Sequence, residues 1–218
     1  MSNQNKIILT IAIILIAAIG LVYFRGGNNQ GDGQAQVRPI DATDHLSGQL
    51  NAPVQLIVYS DFQCPFCSQF AETTKKVEQE FKDKMVITFR HYPLAGHPQA
   101  EKAAEASECA ALQAKFWQMH DKLFADNVAG RMSLEQFKQD AVELGLDQNK
   151  FNQCLDSGRY ADKVSAQKAE GDQAGVTGTP TSFVNGNIYP GAYPFEDFIG
   201  SDGKPEKGMK SIIGNLLK

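Results

Sequence analysis

A Cys-Pro-Phe-Cys segment, Cys64 to Cys67, lies between a predicted strand and a predicted helix, and this placement constrains the fold more than any other feature. The strand is the short apolar run 56–59, which is rich in β-forming residues and bounded by turn residues. The helix is predicted because four mostly apolar residues recur at helical spacing: Phe70, Thr74, Val77 and Phe81. Pro65 is favoured at the first position of a helix. Cys64 is therefore the predicted N-cap, and Cys67 follows one turn later.

This placement favours redox chemistry at the cysteine pair. The free amide groups of a first helical turn and the helix dipole stabilise a thiolate at the N-cap position of Cys64. A thiolate is the nucleophile of thiol–disulfide exchange and also the better leaving group. Cys67, one turn along, is placed to attack the same sulfur and to resolve a mixed disulfide. We therefore predict Cys64 and Cys67 as the catalytic residues of a thiol–disulfide oxidoreductase.

Two other functions of a C-x-x-C segment are weighed against this one. Such a segment also forms half of many zinc sites, which need two further ligands, usually a second close pair. Cys109 and Cys154 stand far apart, and the four histidines form no such pair, so no metal site is predicted. A purely structural disulfide between Cys64 and Cys67 would close too small a loop to stabilise the fold much.

The predicted elements follow one another as strand, helix, strand, several helices, hairpin and helix. The second strand covers 85–92, and helical patterns fill most of the region 97–174. Asn185-Gly186 between β-forming residues is a strong signal for a hairpin, and a last helix is predicted over 206–217. This order predicts an α/β fold with one sheet and a helical insertion.

The N-terminus carries an apolar run from Ile7 to Phe24, which as a helix would span roughly 27 Å, about one hydrocarbon core. We expect residues 1–25 to form a single N-terminal transmembrane helix, with a cleaved signal segment as the alternative. Residues 26–36 are rich in Gly, Asn, Gln and Asp and are predicted to be a flexible linker. The net charge of -4 offers no basic surface for nucleic acid.

Four segments give the sequence a family resemblance. They are Ser60 to Cys67, Phe89 to Leu94, Phe116 to His120 and Gly175 to Thr181. Together they resemble the DsbA-like, thioredoxin-fold family of thiol–disulfide oxidoreductases. The resemblance implies a thioredoxin-like fold over residues 37–218 with a helical insertion at about 97–174.

The resemblance also implies roles for residues around the cysteines. Pro180 is expected to follow a cis peptide bond and to shield the sulfurs, while the backbone of Thr179 is expected to bind an incoming peptide. Pro65 and Phe66 complete the active-site support. Phe66 stands where DsbA carries a histidine and donates no hydrogen bond, so we expect a less oxidising disulfide. Asp61 is the nearest carboxylate that could relay the proton of Cys67.

Cys109 and Cys154 fall in two predicted helices of the insertion. Buried free thiols are one possibility, but in an oxidising compartment a disulfide is favoured, and proteins that resemble this chain often carry such a second pair. The 45-residue separation corresponds to about 4 kcal/mol in the chain-entropy model, against about 2 kcal/mol for the C-x-x-C loop. We therefore expect a structural disulfide rather than a second redox centre.

The preferred interpretation is an extracytoplasmic dithiol oxidase that introduces disulfides into exported proteins with free thiols. Its location would be the cytoplasmic membrane, with the catalytic domain on the outer side. No cofactor beyond the redox-active disulfide is expected, and a membrane quinone-linked disulfide oxidase, DsbB-like or VKOR-like, would reoxidise the pair. The alternatives are a reductase or isomerase of the same fold and, from another class, a non-catalytic metal-binding module.

Overall fold

The structure is a computed structural model that describes residues 36–218. One sheet is built from β1 (His45–Gly48), β2 (Val54–Ser60), β3 (Met85–His91), β4 (Thr181–Val184) and β5 (Asn187–Pro190). The helices are α1 (Pro65–Phe81), α2 (Ala100–Ala111), α3 (Phe116–Val128), α4 (Leu134–Glu143), α5 (Gln148–Asp156), α6 (Ala161–Gln173) and α7 (Met209–Leu216). A 3-10 turn covers Lys82–Lys84, and a small separate sheet pairs β6 (Phe198–Ile199) with β7 (Pro205–Glu206).

The five strands lie in the order β1-β3-β2-β4-β5. β2 and β3 are parallel and are joined through α1, whereas the other neighbouring strands are antiparallel. β2 is the central strand, and all of its residues except Gln55 are buried. Burial on both faces explains why this segment is a continuous apolar run rather than an alternating one. The architecture is the predicted thioredoxin-like α/β fold.

Five helices, α2 to α6, form the predicted insertion between β3 and β4. At the start of α4, the hydroxyl of Ser133 accepts a hydrogen bond from the amide of Gln136, which caps the helix. The sequence suggests a full capping box here, but the Gln136 side chain donates to Asp140 instead of returning to Ser133. The helix ends before Gly145, which takes a positive φ of 70° as a helix-stopping glycine does.

The hairpin between β4 and β5 forms at the predicted Asn185-Gly186 turn. Both residues have positive φ, 46° and 83°, as the favoured two-residue hairpin turn requires. The side-chain carboxamide of Asn185 also accepts a hydrogen bond from the amide of Gln55 at 2.7 Å. The turn therefore also ties the hairpin to the start of β2.

Sequence patterns missed β1 and misplaced the start of the last helix. β1 reads His-Leu-Ser-Gly and contains no β-branched residue; it is extended because it pairs with the edge of β3. The last helix begins at Met209 instead of Glu206, because Pro205–Glu206 pairs with Phe198–Ile199. In both places a tertiary pairing decides the backbone conformation.

The predicted membrane segment (1–25) and all but the last residue of the predicted linker (26–36) lie outside the described residues. Among residues 36–218, no helix is both long enough and apolar enough to cross a membrane.

The Cys109–Cys154 disulfide connects α2 with α5 inside the insertion. Its sulfurs are 2.02 Å apart, and its Cα atoms are 5.8 Å apart. Both residues are buried in a core cluster that also contains Phe137, Phe151 and Leu155. The bond therefore fixes two helices that are separated by 45 residues in the sequence.

Replacing both Cys109 and Cys154 with Ala should lower the free energy of unfolding by about 4 kcal/mol, the chain-entropy value for a loop of this size. Denaturant unfolding at neutral pH measures the difference. Both proteins should carry Cys64→Ala and Cys67→Ala, so that the redox state of that pair does not enter the comparison. A loss below about 1 kcal/mol would show that the disulfide does not stabilise the insertion.

Candidate active site

The cysteine pair lies where β2 passes into α1. Cys64 is the N-cap residue in extended conformation, and Pro65 occupies the first helical position, as predicted. The carbonyl of Cys64 accepts hydrogen bonds from the amides of Cys67 at 3.1 Å and Ser68 at 3.2 Å. Cys64 and Cys67 are free thiols in this structure, and both are buried.

The sheet register brings the Thr179-Pro180 bond to these cysteines. Tyr59, near the end of β2, is paired with Thr181, the first residue of β4. The residues that follow β2 therefore meet those that precede β4. The Thr179-Pro180 peptide bond is cis, and the Cys64 sulfur lies 3.5 Å from the Thr179 carbonyl oxygen.

Hydrogen bonds lower the pKa of Cys64 to about 5. The largest contribution is a hydrogen bond from the Cys67 thiol; burial opposes it, and the backbone amides of Cys67 and Phe66 and the side chain of Thr179 add to it. The sulfur of Cys64 is consequently a thiolate at neutral pH, which is the reactive form.

The second cysteine has the opposite character. Only 1% of the Cys67 surface is exposed, and this burial raises the pKa of its thiol above the usual range. The Cys64 thiolate raises it further, whereas a hydrogen bond with the Ser60 hydroxyl opposes the rise. The Asp61 amide also points at the sulfur, at 3.5 Å. Cys67 therefore holds its proton at neutral pH while Cys64 does not.

The Asp61 carboxylate, which is predicted as a possible proton relay for Cys67, is held by other groups in this structure. This carboxylate is buried, and it accepts hydrogen bonds from the amides of Gln63 at 2.7 Å and Leu94 at 2.9 Å. It also bonds the Nδ1 atom of His97 at 2.7 Å. Only the backbone amide of Asp61 faces Cys67, so the side chain fixes the loop after β2 instead.

Two phenylalanines beside the motif, Phe62 and Phe66, have different surroundings. Phe66 is 59% exposed next to the reactive cysteine. Phe62 is buried and stacks on Phe89, with ring centroids 4.8 Å apart. Of the two, only Phe66 offers an apolar surface to a molecule that approaches Cys64.

Sequence reasoning overlooked two hydroxyl groups at this site. Ser60 ends β2 one residue before the loop, and its side chain interacts with Cys67. The Thr179 side chain helps to lower the pKa of both cysteines, although its buried hydroxyl makes no hydrogen bond of regular geometry within residues 36–218. The position of Ser60 at the end of the strand was an available signal, whereas that of the Thr179 hydroxyl depends on the sheet register.

His91 lies in the core rather than at the cysteine site. It is buried and bonds Glu108 through its Nε2 atom at 3.0 Å. Across residues 36–218, no group of three or more His, Cys, Asp and Glu side chains is arranged to hold a metal ion.

Comparison with known proteins agrees with this architecture. A family model described as thioredoxin matches residues 41–200. Among curated proteins, Na(+)/H(+) antiporter NhaA 1 of Mycolicibacterium gilvum is 35% identical over 205 residues, which is 90% of this chain and 33% of the antiporter. NhaA 3 of Salinispora tropica is 37% identical over 160 residues, 72% of this chain and 24% of that protein. The chain spans about a third or less of the length of these relatives.

Solved structures share the fold over most of their length. Wolbachia pipientis alpha-DsbA1 has a TM-score of 0.65 at 24% identity, with 84% of this chain and 95% of that chain covered. Oxidised BdbD from Bacillus subtilis has a TM-score of 0.70 at 21% identity, with coverage of 83% and 96%. Because the family model matches residues 41–200, which is well over half of the chain, we conclude that the chain belongs to the thioredoxin family, and it shares its fold with these solved structures.

Proposed function

We propose that this protein is an extracytoplasmic dithiol oxidase that passes its Cys64–Cys67 disulfide to exported proteins. The observation that carries the proposal is the contrast between the two thiols: Cys64 has a lowered pKa of about 5, while burial raises that of Cys67. One cysteine is thus prepared to exchange with another molecule, and its neighbour is prepared to close the disulfide.

The reaction begins with the oxidised pair. A client thiolate attacks the Cys64 sulfur; a new disulfide forms between client and Cys64, and Cys67 leaves with the electron pair and takes up a proton. A second client thiolate then attacks the client sulfur of this mixed disulfide. Cys64 leaves as a thiolate, the client keeps the new disulfide, and two electrons remain on the cysteine pair.

The stabilised thiolate also supports the oxidase direction. A thiolate exists only in the reduced pair, so interactions that stabilise it favour the reduced form and make the disulfide a stronger oxidant. The Cys109–Cys154 disulfide supports an oxidising compartment, since such bonds persist mainly outside the reducing cytosol. The apolar segment 7–24 is the proposed means of export and of attachment to the membrane.

Client binding is proposed to use the surface around the reactive sulfur. Phe66 is exposed there, and the carbonyl of Thr179 lies beside Cys64, where an extended peptide could pair with it. Unfolded or partly folded chains with free thiols fit such a site, because they expose both backbone and apolar side chains. A membrane quinone-linked disulfide oxidase, DsbB-like or VKOR-like, is the proposed reoxidant, and the redox-active disulfide is the only cofactor proposed.

A reductase or isomerase of the same fold would use the same cysteines with electrons flowing the other way. An experiment that determines the direction of electron flow therefore distinguishes these functions from the oxidase. The metal-binding alternative gains no support from the residues that the structure describes, which contain no group suited to hold an ion.

The alkylation rate of Cys64 in the reduced protein should follow a titration with a midpoint near pH 5. Because the folded-state pKa is lowered, the thiolate and its stabilising bonds contribute fully above the unfolded-state pKa of about 8.5, and the contribution is lost as the pH falls through 5. Iodoacetamide kinetics between pH 3 and 9 measure the midpoint. Cys67→Ala removes the largest stabilising bond and should move it upward. A wild-type midpoint near 8.5 would contradict the proposed activation of Cys64.

Oxidised wild-type protein should transfer its disulfide to a reduced, unfolded client such as ribonuclease A. Cys64→Ser should abolish the transfer, whereas Cys67→Ser reacted with a client that carries an activated disulfide should accumulate a mixed disulfide at Cys64, because the resolving thiol is missing. Gel shifts after acid quenching and thiol labelling measure both species. The Cys109→Ala, Cys154→Ala variant is the matched control and should retain transfer.

The redox state inside cells separates oxidase from reductase. Acid trapping and alkylation of the protein taken directly from cells should find the Cys64–Cys67 pair mostly as the disulfide. A pair found mostly as the dithiol would contradict the oxidase proposal and favour the reductase.

A further inference from the structure

We propose that His120 accepts and returns the proton of Cys67 through a water molecule held in the cavity between them. This inference rests on the exchange reaction proposed above. In that reaction His120 acts on the Cys67 thiol through a water molecule and does not touch the reacting sulfurs. Its starting point is a cavity whose lining includes Cys67 and His120 but not Cys64, Phe66 or Thr179.

The cavity is small and partly polar. The space open to the centre of a water molecule is about 20 Å³, which is enough for one water. Apolar side chains form most of its wall, and the polar groups that line it belong to four residues besides Cys67: Ser60, Thr74, Thr88 and His120. A buried water needs two to four polar partners, and this wall offers them.

One of these groups lacks a partner. Thr88 is completely buried on β3, and its hydroxyl oxygen makes no hydrogen bond within the part of the chain that the structure describes. An unsatisfied buried hydroxyl is destabilising, and a water in the cavity would give it a hydrogen-bond partner. The other hydroxyl groups are engaged: Thr74 donates to the Ala71 carbonyl, and Ser60 interacts with Cys67.

Cys67 needs a route for its proton that the known contacts do not provide. Its thiol must lose the proton to attack the Cys64 sulfur and regain it in the reverse step. The surrounding protein covers it almost completely, and the Asp61 carboxylate is committed to Gln63, Leu94 and His97. The cavity places polar groups beside this sulfur.

The environment of His120 suits a proton acceptor. Its Nδ1 atom bonds the Asp121 carboxylate at 3.0 Å, which requires a proton on Nδ1 and leaves Nε2 as the acceptor. Burial lowers the pKa of His120, so the ring is neutral at pH 7, while the Asp121 charge stabilises the imidazolium that forms. Lys75 and Glu78 from α1 are the other charged groups that face the ring.

Asp121 also connects the ring to solvent. Its side chain is 53% exposed, against 8% for His120. Both residues line an open surface pocket together with Lys75 and Glu78, and His120 also lines the cysteine cavity. A proton accepted at Nε2 therefore leaves from Nδ1 to Asp121 and bulk water.

Resolution of a mixed disulfide with glutathione illustrates the proposed proton transfer. In the mixed disulfide, Cys64 is bonded to the glutathione sulfur and Cys67 is a thiol. The Cys67 proton passes through the water to His120 Nε2 while the Cys67 sulfur attacks Cys64. A bond between Cys64 and Cys67 forms, the bond to glutathione breaks, and glutathione leaves as a thiolate that takes a proton from solvent. The protein pair is oxidised, and the glutathione sulfur is reduced.

The test follows release of glutathione from Cys64 after mixing reduced protein with glutathione disulfide, by acid quenching and mass spectrometry between pH 5 and 9. In wild type the release rate should reach a plateau, because neutral His120 takes the proton. In His120→Phe it should be about 100-fold slower at pH 7, the lower range for loss of an acid–base group, and should rise tenfold per pH unit. Attack of Cys64 on glutathione disulfide should be unchanged.

Two further variants distinguish an effect on proton transfer from an effect on the packing around His120. Phe116→Leu loosens the aromatic cluster around His120 without touching the cavity, and it should keep the wild-type pH profile. Thr88→Val keeps the shape of the side chain but removes the hydroxyl group that would bind the water. Glutathione release in this variant should be about fivefold slower than in wild type, which corresponds to the loss of one hydrogen bond worth about 1 kcal/mol. If His120→Phe does not fold, this variant tests the inference in its place.

The outcomes are distinct. Release in His120→Phe with the wild-type rate and plateau would overturn the inference, as would slowing of equal size in Phe116→Leu. If His120→Phe does not fold, wild-type kinetics in Thr88→Val would overturn it instead. If wild type itself never forms the glutathione adduct, the proposed exchange reaction fails, and that result is recognised separately because Cys64 then does not react.

Discussion

The electrostatic coupling between the Cys67 thiol and the Cys64 sulfur is the interaction on which the site depends. It has a direction because Cys67 is the more deeply enclosed of these two buried residues and because their partners differ. Cys64 lies at the helix N-terminus, where backbone amides and Thr179 help to stabilise its charge. Cys67 is enclosed one turn later, where burial keeps it protonated. A pair with equal surroundings would have no preferred nucleophile.

The fold maintains this asymmetry through elements that are distant in sequence. β2 delivers the cysteines to the start of α1, and the antiparallel pairing of β2 with β4 brings Thr179 to the Cys64 side. The Asp61 carboxylate holds the intervening loop through Leu94 and His97. The insertion then closes the space behind Cys67, since α3 supplies both Trp117 and His120 to the cavity wall. The catalytic pair and its covering are therefore built by different parts of the chain.

Local sequence signals predicted the part of this arrangement that local chemistry determines. The apolar run, the proline after Cys64 and the Asn-Gly turn each act within a few residues, and each formed as predicted. The cis bond before Pro180 was expected only from family resemblance, because the residues themselves indicate no more than a turn. β1 and the partners of the Asp61 carboxylate were not predicted, since contacts more than 30 residues away determine them. The cavity depends on how the helices pack against the sheet, and the spacing of apolar residues in the sequence does not predict that packing.

The reduction potential of the Cys64–Cys67 pair, from equilibrium with glutathione at pH 7, tests the central claim most directly. Stabilisation of the Cys64 thiolate should place the potential above about −270 mV, the value for thioredoxin, because the reduced form is favoured. Phe66, in place of a histidine, should keep it below about −120 mV, the value for DsbA. A potential at or below that of thioredoxin would contradict the claim that the asymmetric thiol pair makes this protein an oxidant.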